Sequence, residues 1–418
     1  MNIKIRLTAL NFLQFFVWGS WLITIGAFWF QNKHWAGDKF GIIFSTMGIA
    51  SIFMPAITGI IADKWVNAEK LYGICHLCGA AVLFMLPSVG NPTTFFWVML
   101  LNMMFYMPTI SLSITVAYSA LKKEGLNVVK DYPPVRVWGT VGFIAALWTV
   151  SLLEFETSAN QFYLASAASL FLGLYAFSLP KCPPLLGKSD SKSIVDALGL
   201  KSFSLFKDKK IAMFFVFSML LGAALQLTNA YGDTFLHDFK NNAIYQDTLA
   251  VKYPAIIMSI SQISETLFIL AIPFFLKKFG IKQVMFISMI AWVLRFGLLA
   301  YGNPGDGLWM IILSCIVYGM AFDFFNISGS LFVETQTDAT IRASAQGLFM
   351  MMTNGFGAVL GSSVSGIVIQ QYFTHSDSSK DWTGIWIAFA SYALMIALFF
   401  VLLFKHKHNP NEVEAIAH

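Results

Sequence analysis

The sequence predicts an all-α membrane protein with twelve transmembrane helices arranged in two six-helix bundles. Of the 418 residues, 57% are hydrophobic and only 12% are charged, whereas soluble domains carry roughly 25% charged residues. Apolar runs of about 20 residues, the length that crosses a bilayer, recur along the whole chain. Because these runs are continuously apolar, they favour helices over the alternating strands of a membrane barrel.

Twelve apolar runs can be placed in order along the chain. They lie near 9–30, 41–62, 71–88, 94–118, 136–153, 161–179, 211–231, 254–276, 283–301, 308–332, 342–371 and 384–404. The longest break follows the sixth run, and it is rich in Pro, Lys and Ser. We therefore expect an N-terminal six-helix bundle at 1–180, a cytoplasmic central loop at 181–210 and a C-terminal six-helix bundle at 211–418.

The distribution of basic residues predicts the orientation in the membrane. Most of the 27 Lys and Arg residues fall on the side that holds both termini and the central loop. The opposite side carries only Lys33, Lys39, Lys240, Lys252 and Lys380. By the positive-inside rule, both termini are expected in the cytoplasm. The net charge of +5 then reflects topology, so the lipid bilayer, and no nucleic acid, is the expected partner.

Two acidic residues lie near the middle of predicted spans. Glu265 is the only charged residue in 253–276, and Asp323 is the only one in 307–333. A charge at that depth costs about 2.5–3.5 kcal/mol on insertion scales. Chains keep such residues where they face a water-filled path and handle protons, ions or polar substrates. The pattern therefore indicates transport, with Glu265 and Asp323 as candidates for proton coupling.

Further polar residues recur at helical spacing, so several predicted spans each have one polar face. These residues are Gln14 and Trp18; Arg136, Thr140 and Phe143; Gly222, Gln226, Asn229 and Asp233; Ser261, Gln262 and Glu265; Gly319, Phe322, Asp323, Asn326 and Ser330. We expect these faces to line a shared cavity. Two alternatives stay open: amides and hydroxyls that hold helices together, and static ion pairs that fix the acids to Arg136 or Arg295. For Arg295 a structural pair is the expected role.

Other classes of protein have little support. Cys75-His76-Leu77-Cys78 imitates a metal motif, but no second pair accompanies it, so helix packing is the expected role. No phosphate-binding Gly-x-x-x-x-Gly-Lys-Ser/Thr string is present, and no catalytic cluster is visible. We expect no enzyme activity, no metal and no cofactor, with the proton as the coupling ion.

Several longer strings carry a family resemblance. They are FLQFFVWGSW at 12–21, PPVRVWGTVGF at 133–143, QLTN at 226–229, SQISE at 261–265, FDFFNISGS at 322–330 and RASAQG at 342–347. These strings resemble the bacterial nucleoside:proton symporter family of the major facilitator superfamily. The resemblance runs from about residue 6 to about residue 405. It implies the major facilitator fold and a multi-pass protein of the bacterial inner membrane.

The resemblance also implies a function and a site. The function is proton-coupled secondary active transport that imports nucleosides, purine or pyrimidine, by alternating access in a monomer. The implied substrate-binding residues are Arg136, Thr140, Phe143, Gln226, Asn229, Gln262, Glu265, Phe322 and Asp323. Gly59 and Asp63 match a gating motif in which the glycine allows close helix approach. The alternatives are a proton-coupled permease for another polar solute, such as a sugar, and a membrane nucleoside sensor that does not transport.

Overall fold

The computed structural model describes residues 2–184, 200–337 and 342–406. The chain divides into two compact units, Met1–Leu198 and Gly199–His418. Half of the predicted central loop, residues 185–199, lies outside the described residues, so the boundaries of the loop stay a prediction.

The described part of the first unit contains six long helices. They are α1 (Ile3–Gly19), α2 (Phe40–Lys64), α3 (Ala68–Met85), α4 (Pro92–Lys123), α5 (Val128–Leu152) and α6 (Asn160–Ala176). Beyond α1, a kinked segment with a π-helical turn at Phe28–Asn32 continues toward α2. Within this unit α1 packs on α5 and α6, α3 packs on α6, and α4 packs on α2 and α3.

The described part of the second unit also contains six long helices. Its helices are α7 (Lys209–Asp238), α8 (254–279), α9 (281–301), α10 (Leu308–Gln336), α11 (Arg342–Met350, Met351–Gly357 and Ala358–Tyr372) and α12 (Trp382–Leu403). The helices α8 and α9 form one run, Pro254–Tyr301, that is bent at Gly280, whose φ is 76°. A glycine suits this bend because a side chain is strained at positive φ.

Local sequence determines where several helices begin. The Asn91 side chain accepts the Thr94 N–H at 2.8 Å at the start of α4. Asp208 likewise accepts the N–H groups of Lys210 and Ile211 at the start of α7. Such caps satisfy backbone donors that the first helical turn leaves unbonded.

The predicted all-α membrane fold is confirmed. Within the described residues, nine helices are long and apolar enough to cross a membrane. The longest of them is the bent run that contains both α8 and α9. The helices α1 and α6, each of 17 residues, lie at the lower end of the length range of spans. The architecture is therefore consistent with twelve passes, six in each unit.

In the first unit, α1 and α5 cross in close contact through glycines. A methyl group on Gly19 would lie 2.7 Å from the Phe143 carbonyl oxygen, and one on Gly142 would overlap the Phe12 carbonyl. The resemblance led us to expect a close approach at Gly59 instead. A methyl group there would meet no atom within 4 Å among the described residues. The close packing of α1 and α5 thus uses Gly19 and Gly142, and the gating role of Gly59 stays a prediction.

A buried polar network joins four helices of the first unit. Its centre is Gln14 in α1, whose Oε1 accepts from the Tyr72 hydroxyl at 2.6 Å and lies 2.9 Å from His76 Nε2. Gln14 Nε2 donates to Thr109 Oγ1 at 2.8 Å, and His76 Nδ1 lies 3.0 Å from Ser169 Oγ. Both ring nitrogens of His76 are therefore used in helix packing, as expected for the Cys75–Cys78 string.

In the second unit, α7 and α11 cross at a point where no side chain separates their backbones. A methyl group on Gly222 would overlap the Thr353 carbonyl, and one on Gly357 would lie 2.5 Å from the Met219 carbonyl oxygen. The α11 segment here, Met351–Gly357, is π-helical. Turns of this kind widen a helix locally and are frequent at functional sites.

Replacing Gly222 by alanine tests the α7–α11 crossing. Gly222→Ala forces the two backbones apart, and overpacking of this kind costs about 1–3 kcal/mol. We expect a lower midpoint of thermal unfolding in detergent. Gly297→Ala in α9 is the matched control, because its methyl group meets open space and alanine favours a helix by about 0.5–1 kcal/mol. Equal midpoints for both variants would contradict the close crossing.

Replacing Gln14 by leucine tests the buried network. Gln14→Leu leaves the Tyr72 hydroxyl and the His76 Nε2 donor without their acceptor, at about 1–3 kcal/mol for each buried group. We expect a clear fall in the unfolding midpoint. Gln371→Leu, at an exposed helical position, should leave the midpoint nearly unchanged. A Gln14→Leu protein as stable as this control would show that the network does not stabilise the unit.

Candidate functional site

In the first unit, Arg136 on α5 lies against an aromatic ring. The Arg136 guanidinium carbon lies 4.2 Å above the centre of the Phe15 ring, a cation–π geometry. Gly139 leaves the space for this arrangement, because a methyl group there would lie 2.6 Å from Arg136 Nη1. Arg136 is half-buried, and its guanidinium forms no ion pair with a described residue. The site thus keeps a positive charge available on the α5 face.

The same face of α5 continues with Thr140 and Phe143. Thr140 lies one turn beyond Arg136 and is half-buried. Phe143 is 8% exposed and meets the Trp18 ring edge-on, with 6.4 Å between ring centres. Trp18 in turn packs on Tyr106, whose hydroxyl donates to the Gln14 carbonyl at 2.7 Å. The buried network therefore supports this aromatic wall.

The second unit holds the two acids. Asp323 in α10 is 5% exposed, and its Oδ2 has no hydrogen-bond partner within the described ranges. Glu265 in α8 is half-buried. An ionised Glu265 repels an ionised Asp323, so the two groups act on each other electrostatically. A polar atom buried without a partner is costly, and a donor group of a bound substrate could supply the missing hydrogen bond.

Arg295 is buried in the same unit but does not form the expected ion pair. It is 1% exposed, and its guanidinium donates to the Ser314 carbonyl at 2.8 Å and to Thr228 Oγ1 at 3.2 Å. It also lies 3.4 Å from Ser261 Oγ and 4.6 Å from the centre of the Tyr318 ring. Within the described residues the predicted acid partner is thus replaced by neutral oxygens. These bonds tie α9 to α7, α8 and α10.

Tyr318 is a site residue that the sequence patterns did not single out. Its ring stacks parallel to Phe322 at 6.0 Å and meets Trp292 edge-on at 5.9 Å. The tyrosine lies in the electrostatic field of Arg295 and of both acids. The sequence does contain a signal for this residue, because Tyr318 lies one helical turn before Phe322 and so shares its face of the helix.

The remaining predicted residues of this unit are three amides. Gln226 in α7 is 2% exposed, and its Oε1 has no hydrogen-bond partner in the described parts of the chain. Asn229, also in α7, and Gln262 in α8 are half-buried. Gln262 lies next to Ser261, which contacts Arg295. These carboxamides can donate and accept hydrogen bonds.

The predicted residues thus form two sets. Arg136, Thr140 and Phe143 lie on α5 of the first unit, and Gln226, Asn229, Gln262, Glu265, Phe322 and Asp323 lie on three helices of the second. Asp63 occupies the last turn of α2, where it is half-buried. The roles assigned to all these residues stay predictions.

Comparison with known proteins identifies the class. Residues 1–409 match the family described as nucleoside H+ symporter. The chain is 53% identical to the xanthosine permease of Escherichia coli K12 and 50% identical to its nucleoside permease NupG, in both cases over 100% of each chain. The crystal structure of the D323A mutant of nucleoside transporter NupG is 50% identical. It superposes with a TM-score of 0.94 and covers 97% of this chain and 100% of that chain.

These similarities confirm the predicted fold and the predicted class of function. The relatives are permeases, which favours a transporter over a sensor or an enzyme. With its apolar helices, the chain is a multi-pass inner-membrane protein. The chain belongs to the nucleoside H+ symporter family.

Proposed function

We propose that the chain imports nucleosides across the bacterial cytoplasmic membrane and that Glu265 and Asp323 carry the coupling proton. The observation that carries this proposal is the acid pair of the second unit. One member, Asp323, is almost fully buried with an unbonded oxygen, and the other repels it when both are ionised.

The physical basis is the cost of charge in a medium of low dielectric constant. A buried carboxylate is poorly solvated, and a second carboxylate nearby adds repulsion. Protonation of either acid removes one charge and turns one oxygen into a hydrogen-bond donor. In our proposal the proton enters from the outer side, makes the site competent to bind a nucleoside, and leaves on the cytoplasmic side. The charge left behind then weakens binding and releases the cargo.

The proposed substrate contacts follow from the chemistry of a nucleoside. Ribose hydroxyls donate and accept hydrogen bonds, so Gln226, Asn229 and Gln262 suit them. The base has a flat apolar face that can stack on Phe322 or Phe143, and aromatic stacking is worth about 1–3 kcal/mol per base. Arg136 adds a cation with several donors.

The two acids can be tested by neutral isosteres. We expect Asp323→Asn and Glu265→Gln to lose gradient-driven accumulation of uridine or adenosine in proteoliposomes, because an amide cannot take up and release a proton. Exchange of labelled for unlabelled nucleoside, which needs no net proton movement, should persist in at least one variant. The measurement is uptake of radiolabelled nucleoside with and without an inward proton gradient.

The control for this experiment is Glu124→Gln, which removes an exposed acid at the end of α4. It should accumulate nucleoside like the wild type. Full pH-dependent accumulation by both Asp323→Asn and Glu265→Gln would exclude the acid pair as the coupling site.

We also propose that both termini lie in the cytoplasm and that the protein works as a monomer. The basis for the orientation is the excess of Lys and Arg on the side of the termini. A fluorescent protein that matures only in the cytoplasm should therefore fluoresce when fused to the C-terminus. A fusion protein that is present in the membrane in normal amounts but does not fluoresce would contradict this orientation.

A further inference from the structure

A narrow cleft in the second unit contains two amides that neither the coupling step nor the ribose contacts use. The cleft is lined by parts of α7, α9, α10 and α11. Asn326 of α10 and Asn354 of α11 are its side-chain amides, and Trp292, Phe322 and Phe325 are its aromatic residues. Because all of these residues belong to one unit, the geometry of the cleft is defined by that unit alone.

The two amides have hydrogen-bonding capacity left over. Asn326 forms no side-chain hydrogen bond with another described residue, so its carbonyl oxygen and its amino group both remain available. Within the described ranges Asn354 donates only to the Met350 sulfur, at 3.9 Å, and a thioether is a weak acceptor. Two half-buried carboxamides with this capacity are suited to a ligand that offers donors and acceptors side by side.

The backbone explains why Asn354 reaches this cleft. Its neighbour Thr353 lies at the close crossing of α7 and α11, where Gly222 leaves room for the Thr353 carbonyl. Both residues belong to the π-helical turn Met351–Gly357. This turn contains an extra residue compared with a regular α-helical turn, which changes the direction of the side chains that follow. Asn354 is thereby placed at the cleft beside Gly222.

The position of Phe322 indicates which part of a substrate the amides meet. Asn326 lies one helical turn after Phe322, so the amide and the ring share a face of α10. Phe322 is held by its parallel stacking on Tyr318. A planar base that stacks on Phe322 would direct its polar edge along α10, toward Asn326 and Asn354. Base edges present adjacent donors and acceptors, and asparagine pairs with them through both of its side-chain groups.

We infer that Asn326 and Asn354 read the polar edge of the nucleobase and so determine which nucleosides are preferred. This inference rests on the proposed nucleoside transport and adds a specificity-determining pair to it. The preferred class is nucleosides whose base carries a carbonyl oxygen or an amino group at the edge. A nucleoside whose base lacks such a group offers only ring nitrogens at the edge and should gain much less from the pair.

The test compares inosine with purine riboside, which lacks the oxygen at position 6 of the base. Uptake into proteoliposomes gives kcat/KM for each nucleoside in the wild type, Asn326→Ala and Asn354→Ala. We expect each substitution to lower kcat/KM for inosine about five-fold or more and to change the value for purine riboside less than about two-fold, because a good amide–base pair gives about five-fold discrimination or more. The ratio of kcat/KM for inosine to kcat/KM for purine riboside should therefore approach one.

The matched control is Asn241→Ala, an exposed asparagine at the end of the helical segment after α7. It should keep the wild-type ratio, and unfolding midpoints should be alike for all variants. If an alanine variant does not fold, Asn326→Ser and Asn354→Ser keep a smaller polar group and should show the same loss of preference.

The outcomes separate this inference from the proposed function. Equal losses for inosine and purine riboside, or an unchanged ratio, would overturn the reading of the base edge while wild-type uptake leaves nucleoside transport intact. Absence of nucleoside uptake by the wild-type protein would overturn both. A ratio that moves toward unity in the cleft variants alone supports the inference.

Discussion

Electrostatic repulsion between two carboxyl groups in one helical bundle is the constraint on which the second unit depends. Asp323 is almost fully buried, and an ionised Glu265 acts on it directly. In such surroundings two negative charges are costly, so binding of a proton to one of the two acids is favoured. Arg295 lies on α9 of the same unit, where it donates to the Ser314 carbonyl and to Thr228 Oγ1. Among the described residues its guanidinium is bonded to neutral oxygens, and it lies in the electrostatic environment of Tyr318 together with both acids.

Each unit contains buried polar groups that are bonded and others that are not; in the first unit, Asn11 Oδ1 and Asn102 Oδ1 have no partner among the described residues. In the first unit, Gln14 bonds with Tyr72, His76 and Thr109, and this network holds helices together. In the second unit, buried oxygens of Gln226 and Asp323 have no partner within the described residues. Buried polar groups in proteins are nearly always paired. In our proposal, a transported nucleoside supplies hydrogen bonds to the unpaired oxygens of Gln226 and Asp323.

Much of this was predictable from the sequence, because helical periodicity identifies the face on which a residue lies. The acids, the Arg136 face and the membrane fold followed from spacing and hydropathy alone. Spacing does not identify the neighbouring helix, so the neutral partners of Arg295 and the role of Tyr318 were missed. Likewise, the sequence could not show that close helix crossings occur at Gly142 and Gly222. The cleft at Asn354 depends on a π-helical turn, which leaves no clear periodic signal.

The most direct test of proton coupling is to follow the proton itself. Proteoliposomes that contain the purified protein and a pH-sensitive dye would be given nucleoside outside, with the membrane potential clamped and no initial pH difference. The account predicts that adding uridine or adenosine acidifies the lumen, because each nucleoside enters with a proton. Nucleoside entry with no change of luminal pH would contradict proton coupling and would indicate facilitated diffusion instead.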